Sequence, residues 1–302
     1  MAQNRGHLLT EQQNQRSTYI DRMNIGEAFD VINSEDRAVA DAVRRAKPQI
    51  CEAIHCVVRV FERGGRLFYV GAGTSGRLGV IDAAECPPTF MTPPEMVQGI
   101  IAGGEPAIRR SIEGAEDRAD DAVKAIAQCE VAADDVVMGI ATGGTTPFVH
   151  AALAEAKLRG AKTIFFACVP EHAHQDYADI SIRVLTGPEV ITGSTRMKAG
   201  TATKMVLNMI TTISMIQIGK VFGNLMVDLN RDACAKLQDR AIRIVQAATD
   251  TSREEAEQLL RRGEDVKTAI VMHFKHADRK EASRMLIETQ GRMDRIIERN
   301  DD

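Results

Sequence analysis

The sequence predicts an α/β protein: a three-layer α/β/α domain around a five-stranded parallel sheet, with helices before it and a helical module after it. Two observations carry this. Five short β-branched or apolar runs alternate with helical stretches between residues 66 and 187, the pattern of a parallel sheet covered on both faces. Beyond Gly187 only helical periodicity continues. The boundaries that follow are 1–56 for an N-terminal helical segment, 57–220 for the sheet domain and 221–302 for the C-terminal module.

In chain order, the first twenty residues are polar and read as irregular. Helical spacing begins at Ile25–Ile32 and resumes from Asp36 to Arg63, with Pro48 inside, so two helices or one kinked helix would fit. The strands are LFYV (67–70), MVQGII (96–101), VVMGI (136–140), TIFFACV (163–169) and ISIRVL (180–185). The helix after the first strand is expected to stop at Pro87 and Pro88. After Gly187 the helical stretches are 199–221, 230–249, 253–262, 265–276 and 278–299, punctuated by Asp250, Gly263, Asp278 and Gly291. Their Arg, Lys and Glu are interleaved, as on a solvated helix surface.

Composition narrows the function. With 302 residues, 44% hydrophobic and 26% charged, the chain is an ordinary globular one. Its 38 basic and 42 acidic residues give a net charge of −4, which disfavours an electrostatic grip on nucleic acid. The longest apolar stretch, 204–222, is broken by Asn208, Thr211, Thr212, Ser214 and Gln217, so it reads as a buried helix and no membrane association is expected. The opening residues lack the apolar core of a secretion signal, which points to the cytoplasm. Cysteines at 51, 56, 86, 129, 168 and 234 form no CxxC pair and are expected to be reduced, buried thiols.

Chemistry is concentrated in loops after strands. Gly71, Gly73 and Gly76 satisfy GxGxxG after the first strand, but a dehydrogenase would also need an acid at the tip of the second strand to hold a ribose, and none stands there. What the loop offers is Gly73 with the hydroxyls of Thr74 and Ser75 at a helix N-terminus, a recipe for a bound phosphate. Its bland alternative is a tight turn with Ser75 as an N-cap. The loop after the third strand adds Thr142, Thr145 and Thr146, and that after the fifth adds Ser194 and Thr195, followed by Lys198 as a possible countercharge. Lys204 is a weaker one. All three loops should lie along the carboxyl edge of one sheet and converge on an anionic small molecule. Glu171-His172-Ala173-His174 lacks a third ligand at metal spacing, and His273 with His276 is no better. Glu189 is either a further active-site acid or a structural hydrogen-bonding partner.

The runs LFYVGAGTSGRLGVIDAAECPPTF, GPEVITGSTRMKAGTATK and GKVFGNLMVD closely resemble the N-acetylmuramic acid 6-phosphate etherase family of the sugar isomerase (SIS) domain superfamily, over nearly the whole chain. The glucokinase regulatory protein, which binds sugar phosphates without catalysis, is similar and supplies the alternative reading. The resemblance implies cleavage of the lactyl ether of a phosphorylated muramic sugar to N-acetylglucosamine 6-phosphate and D-lactate in cell-wall recycling. The ether resists hydrolysis. In the ring-opened sugar, however, the C2 proton is α to the aldehyde and can be removed, so that the lactyl oxygen leaves C3 and water adds to the alkene. That chemistry asks for one base and one acid, and for no metal or organic cofactor.

The resemblance assigns Glu85 as proton donor and Glu116 as the second catalytic glutamate, the base at C2. By pattern alone Glu85 is a helix-terminal acid, and Glu116 sits on an acidic helix with Glu113, Asp117, Asp120 and Asp121. A donor working near neutral pH needs burial or a neighbouring acid. Ser75 and Glu85 lie ten residues apart, about 15 Å along a straight helix. A homodimer sharing its site between subunits would resolve that distance. Where relatives carry Ser-Gly-Arg-Thr-Pro, this chain has Gly143-Gly144-Thr145-Thr146-Pro147, so one hydroxyl and one positive charge are missing.

Overall fold

The computed structural model describes residues 6–232 and 235–298. Contacts divide the chain into two units, 1–84 with 95–211, and 85–94 with 212–302.

The first unit opens with three 3-10 turns, at Leu9–Glu11, Gln15–Ser17 and Ile20–Arg22. Their residues are not loose: Leu8, Thr10, Asn14 and Ser17 are buried. Helix α1 (Ile25–Arg45) starts in a capping box between Asn24 and Glu27. Helix α2 (Lys47–Glu62) carries Pro48 in its first turn, where a missing N–H costs nothing, so the break is two helices rather than a kink. Then follow β1 (Leu67–Gly71), α3 (Gly73–Phe90), β2 (Val97–Ile101), α4 (Pro106–Arg109), α5 (Ala119–Gln128), β3 (Val136–Ile140), α6 (Pro147–Leu158), β4 (Lys162–Ala167), β5 (Ile180–Arg183) and α7 (Lys198–Gln217). All five strands pair in parallel in the order β2-β1-β3-β4-β5, with Val70 opposite Ile100 on one side and Gly139 on the other.

The inner strands β1, β3 and β4 are buried on both faces, which is why they read as continuous apolar runs, whereas the edge strands β2 and β5 keep half-buried residues. Phe68, Val70, Val137, Phe165 and Ala167 share a core with Ala122 and Ile126 of α5 and with Phe148, Val149 and Ala152 of α6. On the opposite face Tyr69 meets α3 so closely that a Cβ on Gly79 would lie 2.8 Å from that of Tyr69. Tyr69 Oη donates to Asp82 at 3.0 Å, and Thr211 of α7 donates to the same carboxylate at 3.3 Å. One buried acid thus ties α3 and α7 to β1, and burial pushes its carboxyl above the usual range, against those hydrogen bonds.

Helix α3 does not stop before Pro87. The two prolines fall in its last turn, where their fixed φ remains helical and the ladder loses only two donors; Met91 N–H still closes on Pro87 O at 2.9 Å.

The second unit takes the last turns of α3 and α7 and then a two-stranded antiparallel ribbon, β6 (Val221–Phe222) and β7 (Leu225–Met226). The expectation of helices alone beyond Gly187 fails here. Gly223-Asn224 between two apolar pairs is a hairpin turn signal, with strands too short for a periodicity to show. Helices α8 (Ala235–Thr249), α9 (Arg253–Gly263), α10 (Val266–Lys275) and α11 (Arg279–Glu288) complete it around Ile242, Val245, Leu260, Ile270 and Met293. Among the described residues no helix is long and apolar enough to cross a membrane. Cys51 and Cys129 are half-buried and Cys56, Cys86 and Cys168 buried, whereas Cys234 lies outside the described residues.

Candidate functional site

The strand order changes direction between β1 and β3, and in such sheets ligands bind beyond the carboxyl ends at that point. The first loop leaves β1 there. Its turn is tight enough that a Cβ on Gly71 would lie 2.6 Å from Gly76 N, and one on Gly76 2.7 Å from Gly71 O, so no other residue fits either position. Helix α3 begins at Gly73, which puts Ser75 in the first turn and excludes the N-cap reading. Thr74 is half-buried and Ser75 is 9% exposed; neither hydroxyl has a hydrogen-bonding partner among the described residues.

The second loop follows β3. Gly144 has φ +84°, a conformation glycine takes without strain, and a Cβ there would meet Val169 Cγ2 at 2.9 Å. Thr142 is buried and Thr145 and Thr146 half-buried. Thr146 heads α6 without a side-chain capping bond, so its hydroxyl remains available. His150 Nε2 lies 2.7 Å from Gly144 O and its ring stacks on His174, bracing this loop from below.

The third loop, 187–197, follows β5 at the edge of the sheet, and the head of α7 into which it leads returns to the first loop: a Cβ on Gly200 would lie 3.6 Å from Thr74 Cγ2. Ser194 and Thr195 are half-buried with unpaired hydroxyls among the described residues. The N-terminal turns hold the loop in place. Ser17 Oγ donates to Val190 O at 2.7 Å and Asn14 Nδ2 to Pro188 O at 3.1 Å. Glu11 Oε2 would lie 3.1 Å from a Cβ on Gly193, and Thr10 Oγ1, buried without a partner, 3.8 Å from one on Gly143. No periodicity marks these residues, so the expectation of an irregular tail missed them.

Glu189 resolves to the structural alternative. It is fully buried, and its two carboxylate oxygens accept the N–H groups of Lys198 and Ala199, both at 2.9 Å, capping α7. Burial pushes its carboxyl up, against those two amides. Lys198 is likewise absorbed. Its Nζ donates to Glu35 Oε2 at 2.6 Å and its side chain is 3% exposed, so the charge expected to face a phosphate is neutralised inside the protein. Lys204 is exposed.

Glu116 is not on the acidic helix. It stands in a 3-10 turn, Ala115–Asp117, between α4 and α5, launched by Gly114 at φ +69°. Its side chain is exposed and lines a cavity of about 310 Å³ together with Gly73, Arg77, Ser111 and Glu113. The structure therefore brings Glu116 to the phosphate-type loop at the head of α3. Arg77, which composition did not single out, joins them. Glu85 is exposed and belongs to the second unit. No group of three or more His, Cys, Asp or Glu among the described residues could hold a metal ion.

Residues 49–157 match the model of the glucokinase regulatory protein N-terminal SIS domain, and residues 124–213 that of the SIS domain. N-acetylmuramic acid 6-phosphate etherases of Picosynechococcus sp. and Trichormus variabilis are 54% and 55% identical to the chain; both alignments cover 96% of it, and 96% and 95% of those proteins. The etherase of Nostoc sp. is 54% identical over 292 residues. Among solved structures, a phosphoheptose isomerase from Francisella tularensis aligns with 63% of the chain and 98% of its own length, at 20% identity and a TM-score of 0.47.

Proposed function

Because the chain belongs to the N-acetylmuramic acid 6-phosphate etherase family, we propose that it cleaves the D-lactyl ether of that sugar phosphate by elimination and water addition, yielding N-acetylglucosamine 6-phosphate and D-lactate. The single observation that carries the reading to this chain's own residues is the shared cavity of Gly73 and Glu116. The 6-phosphate is held by hydroxyls and amides at the heads of α3 and α6 and in the loop before α7, from Gly73, Thr74, Ser75, Thr142, Thr145, Thr146, Ser194 and Thr195. Glu116 takes the C2 proton of the ring-opened sugar. The electron pair forms the C2–C3 double bond, the lactyl oxygen departs with a proton from Glu85, and water adds at C3.

Glu85 is exposed in the single chain, whereas a proton donor needs a drier setting or a neighbouring acid. That supports a homodimer in which Glu85 serves a site completed by the other subunit, in a cytoplasmic enzyme of cell-wall amino sugar recycling. Lys198 is left out of direct phosphate binding in this reading; it supports the third loop from below.

Incubation with N-acetylmuramic acid 6-phosphate in deuterium oxide tests the reaction. D-lactate release with deuterium at C2 of the product is expected. Lactate without deuterium would refute the elimination, and binding of N-acetylglucosamine 6-phosphate without lactate would mark a noncatalytic sensor. Mixing Glu85→Ala with Ser75→Ala chains should restore activity if the site is shared, and no recovery rules the sharing out.

A further inference from the structure

Arg77 is half-buried on α3, one turn beyond Gly73, and lines the Glu116 cavity. Its Nε donates to Ile108 O at 3.0 Å, which fixes the plane of the guanidinium and leaves its two terminal amino groups without a partner among the described residues. Glu113 and Glu116 line the same cavity, yet among the described residues Arg77 forms no ion pair with a carboxylate. A planar, permanently charged fork held in place and left unpaired beside two acids is suited to a planar anion brought by a ligand.

We infer that Arg77 binds the carboxylate of the ether substituent and so selects acid-bearing ethers over neutral ones. The inference deepens the proposed function and rests on it for the position of the sugar. With Glu116 at C2, the leaving oxygen is on the adjacent carbon and the lactyl carboxylate three bonds from that carbon, which keeps both close to Glu116, whose cavity Arg77 also lines. Without a cation there, the substrate carboxylate and the ionised base would repel each other, raising the cost of bringing Glu116 to C2. The Arg77 fork cancels that repulsion and orients the departing group. Phosphate is the competing anion, since Arg77 also stands near the head of α3, and the test separates the two.

Arg77→Gln and Arg77→Lys are compared with the unmodified protein on three ligands: the muramic sugar phosphate, its analogue with the lactyl carboxylate as a carboxamide, and N-acetylglucosamine 6-phosphate. Calorimetric affinity is read for all three, and KM and kcat for the first two. The unmodified protein should prefer acid over amide by about 10- to 100-fold, the range for a charge-assisted hydrogen-bonded pair. Arg77→Gln should lose that preference while binding N-acetylglucosamine 6-phosphate within about twofold of normal, and Arg77→Lys should recover part of it as a point charge. Equal weakening of all three ligands by Arg77→Gln would make Arg77 a phosphate ligand and overturn the inference, as would a preference for acid that survives the substitution. Lactate release tests the reaction separately: the affinities are read whether or not lactate forms, so the two can fail independently. A melting curve for each variant confirms that loss of the bond to Ile108 has not unfolded α4.

Discussion

Removing the carboxylate of Glu35 tests how the third loop is supported. Glu35 is 7% exposed and accepts three hydrogen bonds, from Lys198 Nζ at 2.6 Å, Asn14 Nδ2 at 2.7 Å and Arg16 at 3.1 Å. Glu35→Gln leaves the Lys198 ammonium buried without its counterion, and breaking a buried pair from one side costs about 3–5 kcal/mol, against about 0.2–1 kcal/mol for an exposed pair. Lys198→Met costs less, because Asn14 and Arg16 still serve the carboxylate. Glu35→Met combined with Lys198→Met removes both charges and should recover most of the loss, since an apolar replacement of a buried pair is often neutral. Urea unfolding followed by tyrosine fluorescence reads this cleanly: the chain has no tryptophan, and Tyr19, Tyr69 and Tyr177 all lie in the first unit. A loss below about 1 kcal/mol for Glu35→Gln, or a double variant no better than the single one, refutes the reasoning. Affinity for N-acetylglucosamine 6-phosphate is the second readout: if folded Lys198→Met loses it by two orders of magnitude or more, Lys198 is a phosphate ligand after all.

The same network sets an acid sensitivity. Burial pushes the Glu35 carboxyl up, but hydrogen bonds from Lys198 and Asn14 and the charges of Lys198 and Arg16 outweigh it and hold the carboxyl below its ordinary value. Its contribution to stability is therefore full above the unfolded carboxylate value of about 4.3 and is lost as pH falls through the lower folded value; a Glu35→Gln melting profile should be flatter across that window. Gly144→Ala forces a side chain into φ +84° against Val169, which should cost about 2 kcal/mol and weaken sugar-phosphate binding by reshaping Thr145 and Thr146; unchanged melting and affinity would show that the loop relaxes freely.

The five strands fall within two residues of where the apolar runs put them; for β1, β3 and β4 the reason is that a strand buried on both faces writes its burial into nearly every consecutive residue. The hydroxyl-bearing glycine loops were legible for a similar reason, since a tight turn at a helix N-terminus restricts residue type locally. Pro87 and Pro88 misled because they lie inside α3, where the helix gives up their two N–H donors yet still closes one more turn, with Met91 N–H on Pro87 O. Glu116 was misplaced because acidic spacing cannot distinguish a 3-10 turn from the helix that follows it.

Local pattern therefore determined the five strands, their parallel sheet and the hydroxyl-bearing loops that follow them, but not the β6–β7 ribbon or the 3-10 turn of Glu116. Partnership was decided only in three dimensions. Lys198 finds Glu35 across 163 positions and Ser17 finds Val190 across 173, and such contacts leave no periodicity in either segment. That is why Lys198, read as a phosphate ligand, is paired with Glu35 inside the protein, while Arg77, unmarked by composition, lines the Glu116 cavity without an ion pair among the described residues. Charge and residue type are written along the chain. Whether a charge is spent inside the fold or left for a ligand depends on the groups that folding brings within reach of it.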